Sequence, residues 1–200
     1  MNEPVCEIKK LSALNDVQLS QAVDVFIEGF YFTLVNVSKD KAKLHIIFKH
    51  SFDHDMTYAY LQDDIVVGFI GLADDKKRPT RLDKELYIQQ MGRLYGKLTY
   101  SSLKTSFEAV KEIGQGEIFV DYITTRSDQR SKGIGKQFLD FIHLTLGYKK
   151  IHLETYSKNT GAISFYERYG FKIIKVKKSL AMKLAGFGDM LFLQFEGNAD

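Results

Sequence analysis

The segment Gln129-Arg130-Ser131-Lys132-Gly133-Ile134-Gly135-Lys136 carries the residue types that hold a phosphate. It follows an apolar, strand-like run at 118–123 and opens a helix-like run at 138–144. The start of a helix leaves backbone N–H groups without partners, and its dipole favours negative charge there. Glycines let an anion approach the bare backbone, and Arg130, Lys132 and Lys136 add permanent charge. The spacing is Arg-x-x-Gly-x-Gly. It lacks the Gly-Lys-Ser/Thr close of a P-loop and the third glycine of a dinucleotide fingerprint. The plain alternative is a helix start with two glycines and a solvated basic face.

A second block lies downstream. Residues 150–155 read as another strand, and Asn159 stands where a helix cap would stand. Ala162, Phe165 and Tyr169 recur at helical spacing, Gly170 ends that helix, and Phe171 leads into a strand at 172–176.

These two blocks, in this order and separation over roughly 117–176, resemble the GCN5-related N-acetyltransferases, the GNAT superfamily. The resemblance implies an α/β (α+β) GNAT fold. Its sheet would be mixed and mostly antiparallel, with about six to seven strands, flanked by helices and splayed between the fourth and fifth strands. It also implies acetyl-CoA as cosubstrate and an amine as acceptor, joined by direct attack in a ternary complex.

By the same resemblance, the pantetheine arm would bond to the backbone of Ile123, Thr124 and Thr125 in the manner of an added strand. The pyrophosphate would rest on amides of Arg130, Ser131, Lys132, Gly133, Ile134, Gly135 and Lys136. Asn159 matches an asparagine that contacts the cofactor, though a helix cap is its other role. Tyr166 matches a tyrosine that protonates the leaving thiolate, a suitable task for a phenol. Its alternative is packing on the sheet, a role that Phe165 and Tyr169 fit better. Asp121 is the candidate base or amine-binding group, with Glu117 on the same side by period-two counting. Phe119 departs from one branch of the family, which has a glutamate at that register. Glu154 on the facing strand is a further candidate, and an amine that arrives deprotonated needs no dedicated base.

The elements that must position these residues are legible upstream. Val5 to Leu11 reads as a first strand. Asp16 or Ser20 would cap a helix carrying Leu19, Val23, Phe26, Ile27 and Phe30, and a second helix would hold Ala42, His45, Ile46 and Phe48–Lys49. Two strands, 57–62 and 65–73, flank the turn Asp63-Asp64. Gly68 and Gly71 hint at a bulge or a close neighbour. Residues 74–116 form an insertion too long to be structureless. Leu103, Phe107 and Val110 have helical spacing, and Leu94 and Leu98 suggest a preceding turn. The insertion would line the acceptor cleft, cover the sheet or mediate dimerisation. Residues 189–195 read as a last strand antiparallel to 172–176, and 197–200 as a loose end.

Length and composition fit one domain spanning 1–200. A net charge of +3 with scattered lysines argues against a nucleic-acid groove. Cys6 is the only cysteine, so no internal disulfide or thiolate metal site is expected. Its distance from both blocks gives an acyl-cysteine route no support. His50 and His54 lack a metalloprotease pattern, and no metal is expected. The absence of a signal core or a membrane-length apolar run points to a cytoplasmic protein. The resemblance leaves a homodimer open. A non-catalytic acyl-CoA sensor and a protein-interaction module on the same fold are the alternatives.

Overall fold

The structure, a computed structural model, describes residues 4–197. Its centre is a seven-stranded sheet in the order β1-β2-β3-β4-β5-β7-β6. The strands are β1 (Cys6–Lys10), β2 (Thr57–Gln62), β3 (Ile65–Ala73), β4 (Ile118–Thr125), β5 (Lys150–Tyr156), β6 (Lys172–Lys177) and β7 (Met190–Glu196). All neighbours are antiparallel except β4 and β5, which run parallel. This is the mixed sheet that the resemblance implied, with β7 slotted between β5 and β6. The last strand pairs antiparallel with β6 as expected, but it also pairs with β5. Gly197 is tied to the Lys149 carbonyl at 2.8 Å rather than loose. The rest of the expected loose end, 198–200, lies outside the described residues, as do residues 1–3.

Helix α1 (Asp16–Leu34) starts at Asn15, not at Asp16 or Ser20. The Asn15 side chain accepts from the Gln18 N–H, and Gln18 reaches back to the Asn15 N–H, a reciprocal capping box. Sequence reading missed it because Asn-x-x-Gln is a less common version of the motif. The apolar stripe Ala22, Val23, Phe26 and Ile27 then faces the sheet. Phe26 is the hub of that face, with its ring 4.9–5.8 Å from those of Phe48, Phe52, Phe69 and Tyr122. Helix α2 (Lys41–Phe48), capped by Asp40, completes the layer.

The insertion is helical, as expected: α3 (Lys84–Met91) and α4 (Arg93–Glu108). Tyr87, Leu103 and Phe107 pack against the α1 face of the sheet. Leu94 and Leu98 lie within α4 on its exposed side, and Val110 lies beyond the helix. The opposite face of the sheet carries α5 (Ile134–Asp140), which runs on into a π-helical turn (Phe141–Thr145), and α6 (Thr160–Tyr169). Ile134, Phe138, Leu139 and Tyr166 pack there on Ile118, Val120, Ile151 and Leu153. A short α7 (Leu180–Leu184), not foreseen, precedes β7.

Two irregularities of the sheet shape the surroundings of β4. The β3–β4 register shifts between Gly71–Tyr122 and Leu72–Val120, which leaves Asp121 as an extra, bulged residue. Ile118 and Val120 therefore face α5, while Tyr122 faces α1. Period-two counting holds from Glu117 to Asp121, as expected, and breaks between Asp121 and Tyr122. In addition, β4 and β5 are paired only over Ile118–Val120 and Ile151–Leu153. Beyond those rungs the two strands part, as the resemblance implied.

Candidate active site

A cleft of about 550 Å³ lies on the α5–α6 face, beside the parted end of β4. Its walls bring together Ile123, Thr124 and Thr125 from β4, Arg130, Ser131 and Gly133 from the turn, Ile134, Gly135 and Lys136 from α5, and Tyr166 from α6. Residues more than forty positions apart thus meet in one place. Gln129, Gly161, Ala162, Phe165 and Arg168 also line it. The sequence reading did not single them out as site residues, although all five lie inside the two motif blocks.

The turn explains why this cleft suits an anion. Gly133 is the N-cap of α5, with φ +85°, and it has no side chain with which to cap. The first-turn amides of α5 therefore keep their donors for a ligand. Ser131 also sits in the left-handed region, at φ +62°. Successive amides bent this way form a concave, anion-accepting nest. A left-handed conformation costs a non-glycine residue about 1–2 kcal/mol, a strain retained where the surroundings enforce it.

The cationic side chains divide in two. Arg130 lines the cleft. Lys132 is outside the lining and donates to Gln129 at 3.0 Å. Lys136 lines the cleft, but its ammonium pairs with Asp140 at 2.6 Å, one turn along the helix. Asn159 is also absent from the lining. Its Oδ1 accepts from the Ala162 N–H at 3.4 Å as the N-cap of α6, and its amide reaches Thr155 Oγ1 at 3.5 Å.

Tyr166 is the buried aromatic of α6, at 7% exposure. Phe165 and Tyr169, expected to take the packing role, are only half-buried. The Tyr166 ring lies 5.1 Å from Phe165 and 5.5 Å from Phe171. Burial raises its phenol above the ordinary value, so the group stays protonated through neutral pH.

Asp121 stands elsewhere. Its carboxylate accepts from Arg78 Nε at 2.9 Å and from Nη2 at 2.5 and 2.7 Å. Both side chains are 5% exposed. Burial pushes this carboxyl up, against the opposing pull of the guanidinium. Glu117 is likewise engaged, by Lys150 at 3.0 Å and His152 at 2.7 Å. Glu154 meets Lys111 at 3.0 Å. Each carboxylate weighed as a base thus has a cationic or histidine partner, a fact invisible to spacing along the chain.

Helix α1 holds the end of β4 in place. A Cβ on Gly29 would overlap the Thr124 side chain, so the glycine lets the helix rest directly on the strand. One residue earlier, Glu28 accepts from the Ser127 N–H at 2.9 Å. Among the described residues no cluster of His, Cys, Asp and Glu could hold a metal ion, and no helix is long and apolar enough to cross a membrane.

Comparison with known proteins agrees with this geometry. Residues 99–173 match the model of the acetyltransferase (GNAT) domain. An acetyltransferase from Corynebacterium glutamicum, described as histone acetyltransferase HPA2 and related acetyltransferase, superposes with a TM-score of 0.60 at 17% identity, covering 100% of this chain and 99% of that one. The Escherichia coli ribosomal-protein-S18-alanine N-acetyltransferase gives 0.56 at 14% identity, covering 98% and 97%. A GNAT-family acetyltransferase from Bacillus cereus gives 0.56 at 13% identity, covering 98% and 99%. No curated protein matches the sequence. At these identities the structural likeness is one of fold. The domain match over 99–173 and the shared fold agree with the GNAT resemblance carried by the two motif blocks.

Proposed function

We propose that the chain is an acetyl-CoA-dependent N-acetyltransferase. The observation that carries this is the cleft, where an uncapped helix start and the β4 edge left open by β5 both line a space of about 550 Å³. In this reading the amides of Ser131 to Lys136 and the Arg130 side chain hold the pyrophosphate. The parted edge of β4 at Ile123–Thr125 takes the pantetheine arm as an added strand. A backbone N–H on that edge polarises the thioester carbonyl. Asn159 acts through α6, which it caps, rather than on the ligand.

The acceptor nitrogen attacks the thioester carbon, and a carbon–nitrogen bond forms. The intermediate collapses, the carbon–sulfur bond breaks, and the thiolate of coenzyme A leaves. Tyr166 gives the thiolate its proton and regains one from solvent. The amine's proton passes to water. Asp121 is not assigned the base role in this mechanism. A buried carboxylate held by an arginine would have to break that pair to take a proton.

Purified protein, acetyl-CoA and a mixed panel of amines, read by mass spectrometry and by release of free thiol, test the proposal. Acetyl transfer to at least one amine class supports it. Coenzyme binding without transfer to any amine would instead favour an acyl-CoA sensor.

A further inference from the structure

Asp121 and Glu154 hold matching places on the two parted strands. Each is the first residue past the last paired rung, Val120 with Leu153. Ile151 and Leu153 face α5, so Glu154 points to the other face, where the insertion lies. Asp121, bulged out of the β3–β4 register, points there too, toward Arg78. Two carboxylates at the point where strands separate repel one another and would open the sheet further.

Each is met by a cation, and both cations come from the insertion. Arg78 takes Asp121 with three hydrogen bonds. Its remaining donors go to the Ala109 carbonyl at 2.5 Å and the Ser106 carbonyl at 3.0 Å, at the end of α4. This guanidinium therefore satisfies a helix C-terminus and a strand bulge together. Two residues past Ala109, Lys111 reaches Glu154 on β5 at 3.0 Å while its ammonium lies 4.1 Å from the ring centre of Phe119 on β4. Lys111 thus touches both strands at once, and Arg78 fixes the segment that carries it.

We propose that Arg78 and Lys111 form a strap across the apex of the β4–β5 split, setting how far the two strands stand apart. They are positioning residues. The insertion is then a working part of the site, not a cover on the sheet. The strap itself rests on geometry alone. Its consequence for the ligand rests on the acetyl-CoA reading above, because the thioester would lie between the parted strands.

Lys111→Met and Lys111→Arg test the strap. Glu154 is only partly buried, so losing Lys111 leaves the fold intact. Amide hydrogen exchange in the unliganded protein is the first readout. Lys111→Met speeds exchange at 121–125 and 154–156 by about tenfold while β2 and β3 are unchanged, and Lys111→Arg restores it. Calorimetric titration with acetyl-CoA and with free coenzyme A is the second. Lys111→Met keeps coenzyme A affinity within about twofold but loses the preference for the acetylated form, and Lys111→Arg recovers it. Unchanged exchange at the split overturns the strap. Faster exchange with an unaltered acetyl-CoA preference overturns its positioning role. Failure of the wild type to bind either ligand counts against the acetyl-CoA reading, and the exchange result then decides the strap.

Discussion

The ring tip of Phe165 lies 3.1 Å from where a Cβ on Gly135 would stand, a tight contact. That contact joins the two motif blocks, one on α5 and the other on α6. Gly135 therefore serves helix packing, whereas Gly133, with open space around it and φ +85°, serves the turn. Gly135→Val is expected to push Phe165 into the cleft and to cost about 1–3 kcal/mol, as overpacking does. Coenzyme affinity should fall more steeply than stability, as read by calorimetric titration beside urea unfolding.

Tyr166→Phe is expected to lower turnover by about a hundredfold, the low end of general-acid contributions. Affinity for acetyl-CoA should stay within about twofold, because no phosphate contact is lost. Burial raises the phenol, so wild-type turnover should not decline through neutral pH from its ionisation. Full turnover in the variant across that range would remove the acid assignment.

How far the sequence showed this site depends on whether its contacts are local. Strands 57–62 and 65–73 were legible to the residue, because alternation and the Asp63-Asp64 turn define them together. Both turn residues adopt the positive φ that such a turn requires, at +48° and +62°. The turn at 130–136 was legible because a helix start and its glycines are adjacent in the chain. The bulge at Asp121 was not, since a register shift belongs to a pair of strands. Nor was the Arg78–Asp121 pair, whose members are 43 residues apart. Leu94 and Leu98, read as a preceding turn of helix, belong to α4 itself, which turns them outward at 77% and 63% exposure.

Arg78→Met should destabilise the fold by about 3–5 kcal/mol, since it strands a buried carboxylate. The double change Arg78→Met with Asp121→Leu should recover much of that loss by removing both charges. Urea unfolding of wild type, both single variants and the double variant gives the coupling. Additive losses would mean that the pair is not the cause.

Acid stability should depend on Glu117. Burial raises its carboxyl, but Lys150, the Gly114 N–H and His152 together hold it down at about 2, against an ordinary 4.5. Its contribution is therefore fully present above pH 4.5 and is lost as pH falls through about 2. Glu117→Gln should unfold at lower temperature than wild type at neutral pH, and the gap should close as the pH drops through that window. A gap that is constant with pH would contradict the assignment.

The central claim concerns the main-chain nitrogens of residues 131–136. Their amide resonances, followed by NMR during titration with acetyl-CoA, test it most directly. The account predicts that these amides and those of Ile123–Thr125 shift together and saturate, and that Gly133→Glu abolishes the response. Saturable shifts confined to other parts of the chain, or no response at millimolar acetyl-CoA, would contradict it.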